Sequence, residues 1–135
     1  MTEHDLLLRQ VHPSFVQQGR VTSQAFRPTP KDEQRLSVYD GNLIAPRAAW
    51  QHYTETMGHS SVGIQAVSRT ECAELALRVI PDPIPFPEHI LIDFSGFTKN
   101  QIETRAKELR LRAEARGWLF LEHSSLPSER PERSR

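Results

Sequence analysis

The chain has 135 residues, 37% of them apolar and 25% charged, with 17 Lys and Arg balanced by 17 Asp and Glu. That length suits one domain able to bury a core without staples, and the balanced charge supplies no long-range field for nucleic acid, anionic lipid or an acidic substrate. The one cysteine, Cys72, excludes an internal disulfide framework. With no apolar run near the start beyond Leu6-Leu-Leu8, a cytoplasmic protein that does not enter a membrane is expected.

In chain order, Leu6–Val11 is apolar and then alternating, and it stops at His12-Pro13, which predicts a strand or, as the competing form, a helical turn. After a loop closing at Gly19, Arg20–Phe26 alternates as a second strand. Arg27–Gln34, with Pro28 and Pro30, reads as a surface loop. Leu36–Tyr39 is a third strand ended by the turn dipeptide Asp40-Gly41. Pro46 opens a helix whose Trp50, Tyr53 and Met57 share a face and which closes at Gly58. Ser61–Val67 is a strand weakened by Gly63. Thr70–Leu75 is a helical turn and Leu77–Ile80 a short edge strand.

Proline at every second position in Pro81-Asp-Pro-Ile-Pro-Phe-Pro87 predicts a rigid, ladder-free connection of polyproline type that makes an edge or a crossover. The dense apolar run His89–Phe94 predicts a central strand buried on both faces. Thr98 and Gln101 form a capping box ahead of a long helix with Ile102, Ala106, Leu109 and Ala113 on one stripe, ended by Gly117. Trp118–Leu121 is a last strand. The polar residues 123–135 read as a disordered tail after one domain over 1–122. Strands that cluster instead of alternating with helices predict an α+β fold, a mixed or antiparallel sheet of five to six strands with two main helices. The expected core holds Val21, Phe26, Val38, Trp50, Tyr53, Ile64, Ile90, Ile92, Phe94, Ile102, Leu109 and Leu119.

No GxSxG elbow, GxxxxGK[ST] loop or strand-linked GxGxxG occurs, so these devices suggest no enzyme class. Cys72 lies between Glu71 and Glu74, which oppose a thiolate. Along one strand, Glu88, His89 and Asp93 are too far apart to share a metal ion, and His52 and His59 lack helical ligand spacing, so no metal and no cofactor are expected. The mixed charges of the long helix, with Glu103 and Lys107 or Glu108 and Arg112 four residues apart, describe a self-paired solvent face in preference to a nucleic-acid surface.

Two functional expectations follow. In one, the chain is an accessory or antitoxin-like module that docks on a partner protein through rigid proline-rich surface, with Phe15, Pro28, Pro30, Pro83, Pro85 and Phe86 as contacts and an exposed apolar or aromatic patch near Phe86 or Phe15. In the other, Arg9, His12, Arg20, Ser23 and Ser37 from the first three strands converge on a cleft for a nucleotide or sugar phosphate. Whether the chain self-associates is left open by its residues.

From His12-Pro-Ser-Phe-Val-Gln-Gln-Gly-Arg20 through Leu36-Ser-Val-Tyr-Asp-Gly41, and on through Pro81-Asp-Pro-Ile-Pro-Phe-Pro-Glu-His89 to Trp118, the chain resembles a family of short bacterial proteins of unknown function. That resemblance covers most of the chain and implies no activity. A second resemblance is to the small ADP-ribosyltransferase-like fold, in which an early strand bears His or Arg and a following strand bears serine near an aromatic residue. Arg9 or His12 and then Ser23 with Phe26 match it here, the third acidic residue has no counterpart, and a nucleotide-handling enzyme is what it implies.

Overall fold

A computed structural model of the chain describes residues 5–28 and 34–122. Pro30 and the tail 123–135 lie outside the described residues. The architecture is α+β, as its strand clustering predicts. Six strands form one antiparallel sheet: β1 (Leu6–Val11), β4 (Arg35–Asp40), β5 (Gly63–Ser68), β6 (Arg78–Pro81), β7 (His89–Asp93) and β8 (Phe120–Leu121), in the order β6-β7-β4-β1-β5-β8. A separate two-stranded ribbon pairs β2 (Val16–Gln17) with β3 (Arg20–Val21).

Alternation along the strands divides the core between the two faces of the sheet. Leu7 and Val11 of β1, Leu36 and Val38 of β4, and Ile90 and Ile92 of β7 pack with Ile102, Ala106, Leu109 and Ala113 of helix α3 (Lys99–Arg116). On the opposite face, Leu8, Tyr39, Ile64 and Ala66 pack under helix α1 (Pro46–Gln51), with Trp50, Tyr53 and Leu119 half-buried against them. α1 continues as a π-turn over His52–Thr56, closed by the Met57 N–H on the His52 carbonyl at 3.0 Å. α3 starts at the expected capping box, Thr98 with Gln101. The turn expected near residue 70 is a short helix, α2 (Arg69–Glu74), with its own capping box of Ser68 and Glu71. Among the described residues no helix is long and apolar enough to cross a membrane.

One expected element differs. Arg20–Phe26 is not one strand: Gln18 and Gly19 take φ of 54° and 78° and turn β2 back onto β3, after which Ser23–Phe26 winds as a 3-10 turn that buries Ala25 and Phe26 against the α3 face. Of the two expectations for the proline run, an edge or a crossover, the edge is the one formed, with Pro81 ending the outermost strand β6. The run is the loop of a hairpin, with Pro81 opposite Ile90 and the Asp82 N–H donating to the His89 carbonyl at 3.0 Å. Proline suits this place because β6 is the sheet's edge and one side of its backbone needs no ladder donor. Gly63 has a packing reason as well. A Cβ there would lie 2.4 Å from the Phe120 carbonyl, so only glycine lets β8 close on β5.

The strand β5, α2 and the end of α3 are tied by Glu71, which caps α2 and receives Arg116 at 3.0 and 3.1 Å. Burial pushes the Glu71 carboxyl up, but Arg116 and the Ser68 N–H outweigh it and hold the group below the ordinary glutamate range. A carboxyl depressed by folding stabilises above its unfolded pKa and loses that contribution as pH falls. Glu71→Gln is therefore expected to cost about 1–3 kcal/mol at pH 7. The difference from the unsubstituted chain should shrink toward zero below roughly pH 4, as read from urea unfolding at the two pH values.

A candidate active site at a split in the sheet

β1 pairs with β5 along its whole length, and β4 pairs with β7 from Arg35 to Tyr39. Between β1 and β4, however, only Leu7 with Asp40 and Leu8 with Tyr39 are in register. Past those pairs the two central strands part. The backbone groups released there need other partners, and Arg9 supplies one for the Ser37 carbonyl. Its Nε donates to the Ala25 carbonyl at 2.6 Å and its Nη1 to the Ser37 carbonyl at 2.9 Å, so a side chain from β1 spans the opening to β4 and also secures the 3-10 turn.

A hollow lies on each face of this split, and Arg9 and Ser37 line both. On the α3 side, a hollow of about 710 Å³ is walled by Phe15, Gln24, Arg27, Pro28, Leu36, Lys99 and Ile102 among others. On the α1 side, one of about 360 Å³ is walled by Gln10, Tyr39, Tyr53, His59, Phe86 and His89 among others. The larger falls within the range of small-molecule sites.

The second hollow holds the most chemically ordered group of side chains. Ser37 on β4 and His89 on β7 are diagonal neighbours on one face of the sheet, and the Ser37 hydroxyl meets His89 Nε2 at 3.0 Å. At the other ring nitrogen, Nδ1 faces the Asp82 carbonyl at 3.0 Å and the Asp82 carboxylate at 3.2 Å. Both of these are acceptors, so Nδ1 carries the proton and Nε2 accepts from Ser37. The order hydroxyl, imidazole, carboxylate is that of an activated nucleophile, its base and the group orienting the base. Phe86 holds the ring, packing edge-on at 5.1 Å from His89 while stacking on Tyr39 at 5.0 Å.

Tyr39 Oη contacts His52 Nδ1 at 2.7 Å. Burial first, then the charges of Tyr53 and Glu88, raise the Tyr39 phenol well above its ordinary value, so it remains a neutral hydrogen-bonding group at physiological pH. Gln10 is 6% exposed; its amide N–H donates to the Ala49 carbonyl at 3.0 Å, whereas its Oε1 has no partner among the described residues.

The five residues expected to form one cleft are dispersed. Arg9 and Ser37 meet. His12 is exposed and accepts the Ser14 N–H at 3.0 Å, capping the 3-10 turn Pro13–Phe15. Arg20 grips Glu114 of α3 through two bonds of 2.9 Å, and Ser23 opens the second 3-10 turn; none of these three lines either hollow. Of the residues assigned to docking, Pro83 and Pro85 are exposed, while Phe15 and Pro28 are half-buried in the wall of the larger hollow. Phe86 is turned inward, while Ile84 is 87% exposed between the exposed Pro83 and Pro85, so the apolar surface beside Phe86 is aliphatic and not aromatic. Cys72 is fully buried, and burial, with Glu71 next, pushes its thiol to about 12. Asp93 lies at the far end of β7 from His89, bound to Arg78 and the Ser95 N–H. Among the described residues no group of three His, Cys, Asp or Glu side chains is placed to hold a metal ion.

Asp82 and His89 were both within reach of the sequence. As a hairpin loop, the proline run brings its two ends opposite each other. The partner of Ser37 is then a histidine from that hairpin, with no part for His12. No family model, curated protein or solved structure matches the chain.

Removing the strap across the split should be costly because two backbone acceptors lose a charged donor. Arg9→Met is expected to destabilise the fold by about 2–4 kcal/mol. Arg9→Lys should recover less than half of that, since an ammonium lacks the fork that reaches two carbonyls at once. Urea unfolding of the three proteins makes the comparison.

Proposed function

We propose that this chain is a hydrolase for a small ester-type substrate, acting at Ser37. The observation that carries the proposal is the linked pair of contacts, Ser37 Oγ to His89 Nε2 at 3.0 Å and His89 Nδ1 to the Asp82 carboxylate at 3.2 Å, beside an open hollow. In the first half-reaction His89 Nε2 takes the Ser37 proton as Oγ bonds to the substrate's electrophilic carbon, and the imidazolium returns that proton to the departing alcohol. In the second, His89 takes a proton from water as the hydroxide adds to the acyl group. The Oγ bond then breaks and Ser37 regains its proton. Asp82 stabilises the transient imidazolium and fixes its tautomer. Arg9, anchored on the Ser37 carbonyl, adds a positive charge near the position where negative charge develops.

An enzyme of this type should be modified by an electrophile that mimics the ester. Incubation with a fluorophosphonate is expected to give a single adduct on the intact protein, mapped to Ser37 by peptide mass spectrometry. Ser37→Ala should abolish the adduct, and His89→Ala should slow it by about 100-fold or more. Absence of an adduct, or one that persists in Ser37→Ala, would overturn the proposal.

A further inference from the structure

We infer that Gln10 is a specificity-determining residue of the smaller hollow, its unpartnered amide oxygen taking a hydrogen bond from a neutral donor beside the reacting carbon, so that the substrate is a 2-hydroxyacyl ester. The inference rests on the proposal that chemistry occurs at Ser37, and it adds the class of molecule. Gln10 is 6% exposed, and its N–H donates to the Ala49 carbonyl of α1 at 3.0 Å. That bond fixes the sense of the amide, because turning it over would set Oε1 against another acceptor. Oε1 is thereby directed away from the Ala49 carbonyl, and among the described residues it meets no donor. A buried acceptor left without a partner is costly, and a ligand that supplies the missing donor recovers that cost.

Strand register places this residue beside the nucleophile. Leu7 pairs with Asp40 and Leu8 with Tyr39, so the same register carried two residues further sets Gln10 opposite Ser37, at the point where β1 and β4 have parted. In an intact ladder the Cβ atoms of such a pair lie about 4.5–5.5 Å apart. Here the split leaves room for a ligand group between them, and both residues line the smaller hollow. A carbon bonded to Ser37 Oγ stands in that gap, with the substituent on the next carbon of the acyl chain facing Gln10. Among the described residues no carboxylate lines this hollow, and Arg9 does. An ammonium would therefore have no counter-charge, and the donor is a neutral one, of which a hydroxyl is the smallest. Tyr53, Met57 and Phe86 supply apolar wall for an uncharged leaving group.

Phenyl glycolate and phenyl propionate, which differ only by hydroxyl against methyl beside the carbonyl, test the inference. With each rate taken relative to hydroxide-catalysed hydrolysis of the same ester, kcat/KM is expected to favour the glycolate by about tenfold or more. Gln10→Met, which keeps the length of the side chain and removes the acceptor, should bring the two esters within about twofold of each other. That ratio is measured within one protein and so does not depend on how much of the variant is folded. Equal kcat/KM for the two esters in the unsubstituted chain, or a preference that Gln10→Met leaves intact, would overturn the inference. If neither ester is turned over, the same pair is titrated calorimetrically into the chain, and equal affinity or no binding overturns it too. A preference in binding of about tenfold that Gln10→Met removes, in a protein that forms no fluorophosphonate adduct, would uphold the acceptor site while removing the hydrolase.

Discussion

The fold turns on one side chain, Arg9, which stands where a β-ladder should be. Two central strands of an antiparallel sheet normally satisfy each other's backbone, yet β1 and β4 do so only at their Leu7–Leu8 and Tyr39–Asp40 ends. The guanidinium is long enough to span the widened gap, and its fork reaches two carbonyls from different segments. A sheet opened in this way is joined across the split by the Leu7–Asp40 and Leu8–Tyr39 pairs and by Arg9, while a hollow opens on each face of its middle. Ser37 stands at that opening, and this position, more than its residue type, makes it chemically interesting.

Arg9 is one case of a wider pattern. Arg105 donates to the Leu75 carbonyl at 2.8 Å, Arg110 to Val21 at 3.0 Å and Arg116 to Ala66 at 2.8 Å. Each ends on backbone, and the carbonyls of Ala25, Leu75 and Val21 lie in a 3-10 turn, at the end of α2 and in the short β2–β3 ribbon. Long cationic side chains thus hold irregular segments to β1 and to α3 where no ladder does so, with their stems lying over the core. The mixed charge of α3 therefore does more than pair with itself: Arg20 reaches Glu114 and Arg27 reaches Glu103 from the β2–β3 region.

Periodicity made the regular elements legible. The capping box at Thr98, the apolar stripe of α3, the alternation of β1 and β5 and the dense run of β7 are all local signals, and local signals survive without the rest of the chain. What stayed hidden depends on pairing. Positive φ at Gln18 and Gly19 makes a ribbon of β2 and β3, and the 3-10 turn Ser23–Phe26 cuts the apparent strand 20–26 short after Val21. Whether a run of prolines spans or folds back is decided by what flanks it, here β6 and β7 seeking each other. The site suffered most. Ser37 was visible as a polar residue in an apolar strand, but its partner histidine lies 52 positions away, and the parting of two strands leaves no trace in either one's composition.

The chemistry assigned to the split needs a base with a fixed proton inventory, and the surroundings of His89 provide it. Two acceptors from Asp82 sit at Nδ1 and a hydroxyl sits at Nε2, with Phe86 packed edge-on against the ring. The direct measurement is the tautomeric state of this ring by nitrogen-15 NMR in the neutral form. The arrangement predicts a proton on Nδ1 and an Nε2 resonance that moves when Ser37 is replaced by alanine. A ring protonated on Nε2, or an Nε2 resonance indifferent to that replacement, would contradict the assignment of Ser37 and His89 as nucleophile and base.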